Sequence, residues 1–254
     1  MVDNLLADPS VLHDTEQPTI FNHLISPQHH HRKTVESNPP PSRKALIEEA
    51  MGLIQAGSDT VANTCTVGIF HILDNSSVHK RLFEELQSAW PDSAVAAKLQ
   101  TLEKLPYLTA VIKESLRLST GVVTPLARIV GPSGSVIGGC LVPAGTIVAM
   151  SATFLHFDEE LFPEPDRFIP ERWLDNPNNN QYLVPFSRGP RMCLGFNLAW
   201  AELYLVFANV IRKLDLTPSE TTAEDFRTYR ELFVPVYDGQ EFHIRVKPRA
   251  ASGI

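Results

Sequence analysis

The sequence predicts a mainly helical protein with a small β annex. Apolar residues recur at helical spacing over residues 42–73, and shorter amphipathic helical patterns cover 77–90 and 106–119. Over residues 126–156, β-branched runs alternate with Gly and Pro turns, a pattern typical of short hairpins. With 254 residues, 43% of them hydrophobic, the chain can form a large core in one or two domains.

The N-terminal region has little helical patterning. Residues 1–24 are weakly helical, and residues 25–43 are polar and rich in proline, which predicts a solvated loop. Three consecutive histidines, residues 29–31, could bind a metal, although such histidines in a flexible loop are more often solvated.

The pattern over residues 42–73 predicts the central helix. Its stripe includes Ile47, Ile54 and Ile69, and the flanks of the stripe are also apolar in the second half, so we expect a buried helix. Asn75 follows this pattern and predicts its end. Later in the chain, residues 158–182 have the composition of an ordered loop, residues 195–213 predict another helix, and residues 226–248 predict a last hairpin.

Charge and cysteine content exclude several classes of protein. The net charge is -7, whereas nucleic-acid-binding proteins normally carry a basic surface. The three cysteines, Cys65, Cys140 and Cys193, form no C-x-x-C pair, which argues against a disulfide framework and a thiolate zinc site. No uncharged apolar run is long enough to span a membrane, so we expect no membrane span in this chain.

Cys193 stands out because it lies at the start of a predicted helix, between Gly189 and Gly195. Helix-terminal amides favour a thiolate, and glycines allow a flat group to approach the backbone. Arg191 is placed to bind a carboxylate. These features describe a haem iron held by cysteine, but a buried structural cysteine is an equally good interpretation of the spacing alone.

The segment FSRGPRMCLG resembles the haem-binding pattern F-x-x-G-x-R-x-C-x-G of the cytochrome P450 family at every fixed position. The matching residues are Phe186, Gly189, Arg191, Cys193 and Gly195. Three more segments resemble family motifs in the family's order: AGSDT at 56–60, ESLR at 114–117 and PERW at 170–173. The resemblance implies that residues 45–250 are the C-terminal, haem-binding part of a P450 fold without its N-terminal half, and that residues 1–44 are an N-terminal segment and polar linker.

The resemblance implies a role for each matching residue around a haem b cofactor. Cys193 would be the axial thiolate, and Arg128 would meet a haem propionate. His156 occupies a position that would also face a propionate, although Phe157 replaces the arginine common in relatives.

The resemblance also assigns roles on the central helix. Ala56 and Thr60 share a face, so they would form a groove for dioxygen and water. Asp59 and Thr60 would then deliver protons to dioxygen. A small-residue packing seam is the alternative for this motif on its own. Val61 departs mildly from the family pattern, which often has a second Thr or Ser there.

Glu114 and Arg117 lie three residues apart and therefore share a helix face. They could be an exposed pair of little energetic value. The resemblance instead implies a buried structural triad with Arg172, which would hold this helix to the loop before the haem.

The function implied is that of a haem-thiolate monooxygenase that inserts one atom of O2 into a small apolar organic substrate. Electrons would come from NADPH through a protein similar to NADPH–cytochrome P450 reductase. Candidate residues of the substrate pocket are Val122, Val123, Thr124, Phe233 and Val234. The segment around Cys193 resembles fungal members of the family that act in secondary metabolism.

Two other functions stay open from the sequence. One is a truncated, inactive fragment, for which we expect exposed apolar surface and association of the isolated chain. The other is a haem-thiolate protein for isomerisation or sensing, against which the pair Asp59 and Thr60 speaks. Full-length relatives are typically anchored to the endoplasmic reticulum membrane, and the sequence assigns no location to this chain.

Overall fold

A computed structural model describes residue 8 and residues 19–25, 41–218 and 220–249. Two compact units divide the chain, residues 1–58 and residues 59–254. The histidines at 29–31 lie outside the described residues.

Helices form most of the regular structure, as the sequence predicts. Their bounds are α1 Ile20–Ile25, α2 Arg43–Asp74, α3 Ser76–Ala89, α4 Leu99–Leu102, α5 Pro106–Ser119, α6 Thr153–His156, α7 Arg172–Asp175 and α8 Phe196–Lys213. Short 3₁₀ turns cover Pro177–Gln181, Gly189–Arg191 and Ala223–Phe226. Most residues from 64 to 72 in the second half of α2 are buried, whereas Ile54 in its first half is 70% exposed.

Local capping explains the helix boundaries. Asn75 ends α2 and caps α3, because its side-chain oxygen accepts from the amides of Ser77 and Val78 at 3.2 and 3.3 Å. Thr120, which has a φ of 57°, ends α5 in the left-handed region and turns the chain towards the β annex.

The main core of the second unit forms where α8 packs against α3, α4 and α5. Large side chains at these contacts have no exposed surface, among them Leu86, Ile112 and Phe207. Helix α2 approaches α5 and α8 at Gly68, where an added Cβ would lie 2.3 Å from Ser115 Oγ and 2.5 Å from the Phe207 ring. Glycine at this position therefore allows the close approach of the three helices.

The β annex consists of four antiparallel two-stranded sheets. The strands are β1 Arg128–Ile129, β2 Ser135–Ile137, β3 Cys140–Val142, β4 Ile147–Val148, β5 Leu214–Pro218, β6 Tyr229–Leu232, β7 Val234–Tyr237 and β8 Ile244–Pro248. The pairs are β1 with β4, β2 with β3, β5 with β8 and β6 with β7. Of the short hairpins predicted over residues 126–156, the structure shows one, β2 with β3, whereas β1 and β4 pair across it from either side.

The prediction of a single last hairpin over residues 226–248 is wrong. Strand β6 turns at Phe233, which has a φ of 75°, and pairs at once with β7. Strand β8 therefore pairs with β5 instead, with Leu214 opposite Pro248. None of the helices in the described ranges is both long and apolar enough to span a bilayer.

Candidate functional site

Cys193 lies in a loop of residues 184–195, which we call the Cys193 loop, directly before α8. The loop folds back on itself, because the Cys193 amide donates to the Phe186 carbonyl at 2.9 Å and the Met192 amide donates to the Gly189 carbonyl at 3.0 Å. Gly189 has a φ of 79°, a conformation that favours glycine. The thiol is free and exposed.

Gly195 keeps the space beside the sulfur open. A Cβ at this position would lie 3.9 Å from Cys193 Sγ. The Phe186 ring meets the Phe196 ring edge-on at 4.9 Å and the Trp200 ring at 6.3 Å. These contacts join the start of the loop to the first two turns of α8.

The other two cysteines have different surroundings. Cys65 is half-buried on α2, and burial, followed by the negative charge of Glu202, raises the pKa of its thiol to about 11. Cys65 therefore stays protonated at neutral pH. Cys140 is exposed at the start of strand β3, away from any helix terminus.

Exposed apolar side chains flank Cys193, and two arginines of the predicted site are exposed. Leu194 is 94% exposed, and Leu198 in the first turn of α8 is 63% exposed. Arg191 is exposed and forms no ion pair within the described ranges, and Arg128 on β1 is exposed and donates only to the neighbouring Ala127 carbonyl. An exposed thiol, bare apolar side chains and free guanidinium groups fit a flat apolar cofactor that carries carboxylates, as haem does.

Glu114, Arg117, Arg172 and Trp173 form a buried network of hydrogen bonds. We call these four residues the Glu114 cluster. The Glu114 carboxylate accepts from Arg117 Nε at 3.0 Å, Arg117 Nη2 at 2.9 Å, Arg172 Nε at 3.0 Å and Trp173 Nε1 at 2.9 Å. It also accepts from the Ile169 amide at 3.0 Å. Glu114 and Arg117 have no exposed surface, so the interpretation of an exposed surface pair does not apply.

Arg117 extends this network to the end of α6 and the loop that follows it. Its Nη1 donates to the carbonyls of His156 and Pro165, both at 2.7 Å, and its Nη2 donates to the Arg167 carbonyl at 3.1 Å. The guanidinium is thus saturated by the carboxylate and by three carbonyls. The network ties α5 to residues 156–173 and so positions the segment that leads into the Cys193 loop.

His156 is placed differently from the expectation. It is fully buried, and its Nε2 accepts from the Val184 amide at 3.0 Å, so this nitrogen is not available to a propionate. Burial, followed by the positive charge of Arg117, lowers its pKa to about 3, and the imidazole is therefore neutral. Because Nε2 is an acceptor, Nδ1 carries the proton, and this N–H has no partner among the described residues.

The three predicted residues of the central helix lie in α2. Ala56 and Asp59 are exposed, and Thr60 is half-buried. The Thr60 carbonyl accepts from the Thr64 hydroxyl at 3.0 Å, a side-chain bond within the helix.

The predicted pocket residues come from two segments that meet. The Val123 amide donates to the Phe233 carbonyl at 3.0 Å, and the Thr124 hydroxyl donates to Glu231. Phe233 is 52% exposed at the turn between β6 and β7, whereas Val123 is buried. Val122 and Val234, the other two pocket residues, are half-buried.

Sequence reasoning missed the polar contact between α2 and the end of α5. The Thr64 hydroxyl bonds the Ser119 hydroxyl at 2.9 Å, and Asn63 Nδ2 donates to the Ser119 carbonyl at 3.3 Å. The available signal was the spacing of Thr60 and Thr64, which places two hydroxyls on one helix face.

Comparison with known proteins gives one consistent result. Residues 12–236 match the model of the family described as Cytochrome P450. The chain is 36% identical over 233 residues to cytochrome P450 monooxygenase flvC of Aspergillus flavus, covering 91% of this chain and 43% of that protein. It is 40% identical over 228 residues to cytochrome P450 monooxygenase macH of Penicillium terrestre, covering 88% of this chain and 44% of that protein.

A further relative is named for its reaction. N-acetyltryptophan 6-hydroxylase ivoC of Emericella nidulans is 38% identical over 227 residues, which cover 85% of this chain and 42% of that protein. The chain thus spans less than half the length of these three relatives.

Proposed function

The chain belongs to the cytochrome P450 family, and from this premise we propose that it is the haem-binding part of a monooxygenase. The whole enzyme would insert one atom of O2 into a small apolar organic substrate. The electrons would come from NADPH through a protein similar to NADPH–cytochrome P450 reductase. Relatives of this kind are typically anchored to the endoplasmic reticulum membrane, and we propose the same location for the whole protein.

The observation that carries this proposal is the Cys193 loop. An exposed thiol lies before the N-terminus of α8, with Gly195 leaving space beside the sulfur and Leu194 presenting a bare apolar side chain. Cys193 would hold the haem iron through its thiolate. The bound haem would supply the redox chemistry that activates dioxygen.

Other residues of the chain would bind the haem carboxylates and deliver protons to dioxygen. Arg191 and Arg128 are free to bind the haem carboxylates as charge-assisted partners. The Thr60 hydroxyl would orient a proton towards dioxygen, and the exposed Asp59 carboxylate would take that proton from solvent.

The substrate would lie against the meeting point of the residues after α5 and the turn between β6 and β7. The side chains there, Val122, Val123 and Phe233, are apolar, which favours an apolar substrate. One of the fungal relatives is named as a hydroxylase of an N-acetylated amino acid, which supports a small organic substrate.

Cysteine variants test the axial ligand. Haem should be supplied during expression, and the protein reduced and exposed to carbon monoxide. We expect the strongly red-shifted Soret band of thiolate-bound haem, and we expect Cys193→Ala to abolish it. Cys65→Ala and Cys140→Ala are matched controls and should retain the band, because Cys65 is a protonated thiol and Cys140 is far from a helix terminus. A Cys193→Ala protein with an unchanged spectrum would refute the assignment.

A further inference from the structure

A cavity of about 560 Å³ lies beside the second half of α2. Its walls come from α2, the end of α5, the segment after α5, the 3₁₀ turn at residues 223–226 and the strands β6 and β7. This volume falls within the range of small-molecule sites in proteins, about 300–1,000 Å³. Neither the Cys193 loop nor residues 56–60 line it, and of the predicted pocket residues only Val123 contributes.

Most of the cavity wall is apolar or aromatic. The side chains that provide this surface are Val67, Leu118, Val123, Phe157, Phe226 and Pro235. Phe226 is held in place by edge-on contact with Tyr237 at 5.1 Å and by the tilted ring of Phe70 at 4.8 Å. Aromatic walls of this kind favour a ligand that carries flat rings.

His71 provides a polar group in this apolar wall. Its ring stacks on the Phe168 ring at 5.2 Å with an angle of 10°, so its orientation is fixed. Burial lowers its pKa to about 4, and the ring is therefore neutral with one donor and one acceptor nitrogen. Across the described ranges, neither nitrogen has a hydrogen-bond partner.

Several hydroxyls of the wall already have hydrogen-bond partners in the protein. Ser119 bonds Thr64 at 2.9 Å, Thr120 donates to the Arg117 carbonyl at 3.2 Å, and Thr153 accepts from Ser151 at 3.0 Å. The His71 imidazole can therefore offer its nitrogens to a ligand inside the cavity without losing a bond to the protein.

Three charged residues line the exposed side of the cavity. Arg227 pairs with Glu224 at 3.0 Å and with Asp166 at 3.4 Å. Two carboxylates and one guanidinium leave one negative charge there, which disfavours an anionic ligand.

From these observations we propose that the cavity is a ligand-binding site of its own, which takes a neutral, largely aromatic molecule with a hydroxyl group. The hydroxyl bonds the His71 imidazole, and the rings pack against Phe157 and Phe226. This site goes beyond the proposed reaction at Cys193, because its lining residues are separate from the Cys193 loop.

Calorimetric titration of the full 254-residue chain, prepared with haem supplied, tests the site. The probes are 1-hydroxypyrene, pyrene as its analogue without the hydroxyl, and 1-pyrenecarboxylate as its anionic analogue. We expect saturable binding of one 1-hydroxypyrene per chain, binding of pyrene about tenfold weaker because it lacks the hydrogen bond, and still weaker binding of the carboxylate.

Variants separate this cavity from other apolar surfaces. His71→Phe keeps the ring stack on Phe168 and should weaken 1-hydroxypyrene to the affinity of pyrene without changing pyrene itself. Ala223→Trp fills the cavity from an exposed position and should abolish binding of both probes. Ala144→Trp places the same side chain at an exposed turn elsewhere and should leave binding unchanged. Absence of saturable binding, or binding that is unaffected by His71→Phe and Ala223→Trp, overturns the proposal.

Discussion

His156 connects two parts of the candidate site through one buried side chain. Its carbonyl accepts from Arg117 in the Glu114 cluster, and its imidazole accepts from the Val184 amide at the start of the Cys193 loop. The sequence placed this residue near a propionate by analogy of its position. Its burial could not be predicted, because Val184 is 28 residues away and no local pattern relates the two.

Two substitutions at His156 test its link to the Cys193 loop. In His156→Leu the Val184 amide loses its acceptor, so we expect its hydrogen exchange to accelerate about fivefold, as for a net loss of about 1 kcal/mol. His156→Gln can place Oε1 near the position of Nε2 and should retain much of the protection. Exchange followed by mass spectrometry on a peptide containing Val184 measures the effect, with residues 76–89 of α3 as an internal control. Equal exchange in the Leu variant and the parent would contradict the link.

At the scale of elements, helices could be predicted from the sequence far better than strand pairs. The periodicity that predicts α2 and α5 is local. The residue predicted to end α2, Asn75, directly follows that helix in the structure and caps α3. The pairing of β5 with β8 depends on residues 214–218 meeting residues 244–248. Strand β8 pairs with β5 because the chain turns tightly at Phe233. The apolar run LFVPVY gives no clear signal of this turn.

Packing contacts between elements also could not be predicted from the sequence pattern. Gly68 sits within α2 without any turn signal, and only the neighbouring Ser115 and Phe207 show why a side chain cannot fit. For the candidate site, motif resemblance identified Glu114, Arg117 and Arg172 as partners. The indole of Trp173 and the three carbonyls on Arg117 emerged only from the structure.

The Glu114 cluster should contribute strongly to the free energy of unfolding. Glu114→Gln removes the negative charge that compensates two guanidinium groups, Arg117 with no exposed side-chain surface and Arg172 with 8%. We expect a loss of about 3–5 kcal/mol, as for other broken buried ion pairs. Urea denaturation at neutral pH measures this loss.

An exposed pair provides a matched control for that experiment. Glu164 and Arg167 are also three residues apart, but their side chains are 58% and 67% exposed. Glu164→Gln should therefore cost less than about 1 kcal/mol. Equal losses for Glu114→Gln and Glu164→Gln would show that burial of the cluster adds nothing to stability.

For the whole molecule, two neutral histidines link stability to pH. Burial lowers the pKa of His71 to about 4, with Glu114 opposing and Arg117 reinforcing the effect. Burial and then Arg117 lower the pKa of His156 to about 3. Both values lie below the ordinary histidine value of about 6.5, so the unfolded chain binds more protons than the folded chain in mildly acidic solution.

The free energy of unfolding should therefore decrease as the pH falls below about 6.5. Each histidine contributes a slope approaching 1.4 kcal/mol per pH unit until the pH nears its folded pKa, which gives a combined loss on the order of 3 kcal/mol between about pH 6.5 and 5. Urea denaturation across this range measures the slope. His71→Phe should remove the share of His71, whereas His243→Gln, at a side chain that is 73% exposed, should leave the slope unchanged. A stability that is flat from pH 6.5 to 5 in the parent protein, or a slope unaffected by His71→Phe, would show that these imidazoles can take up protons without leaving the folded structure.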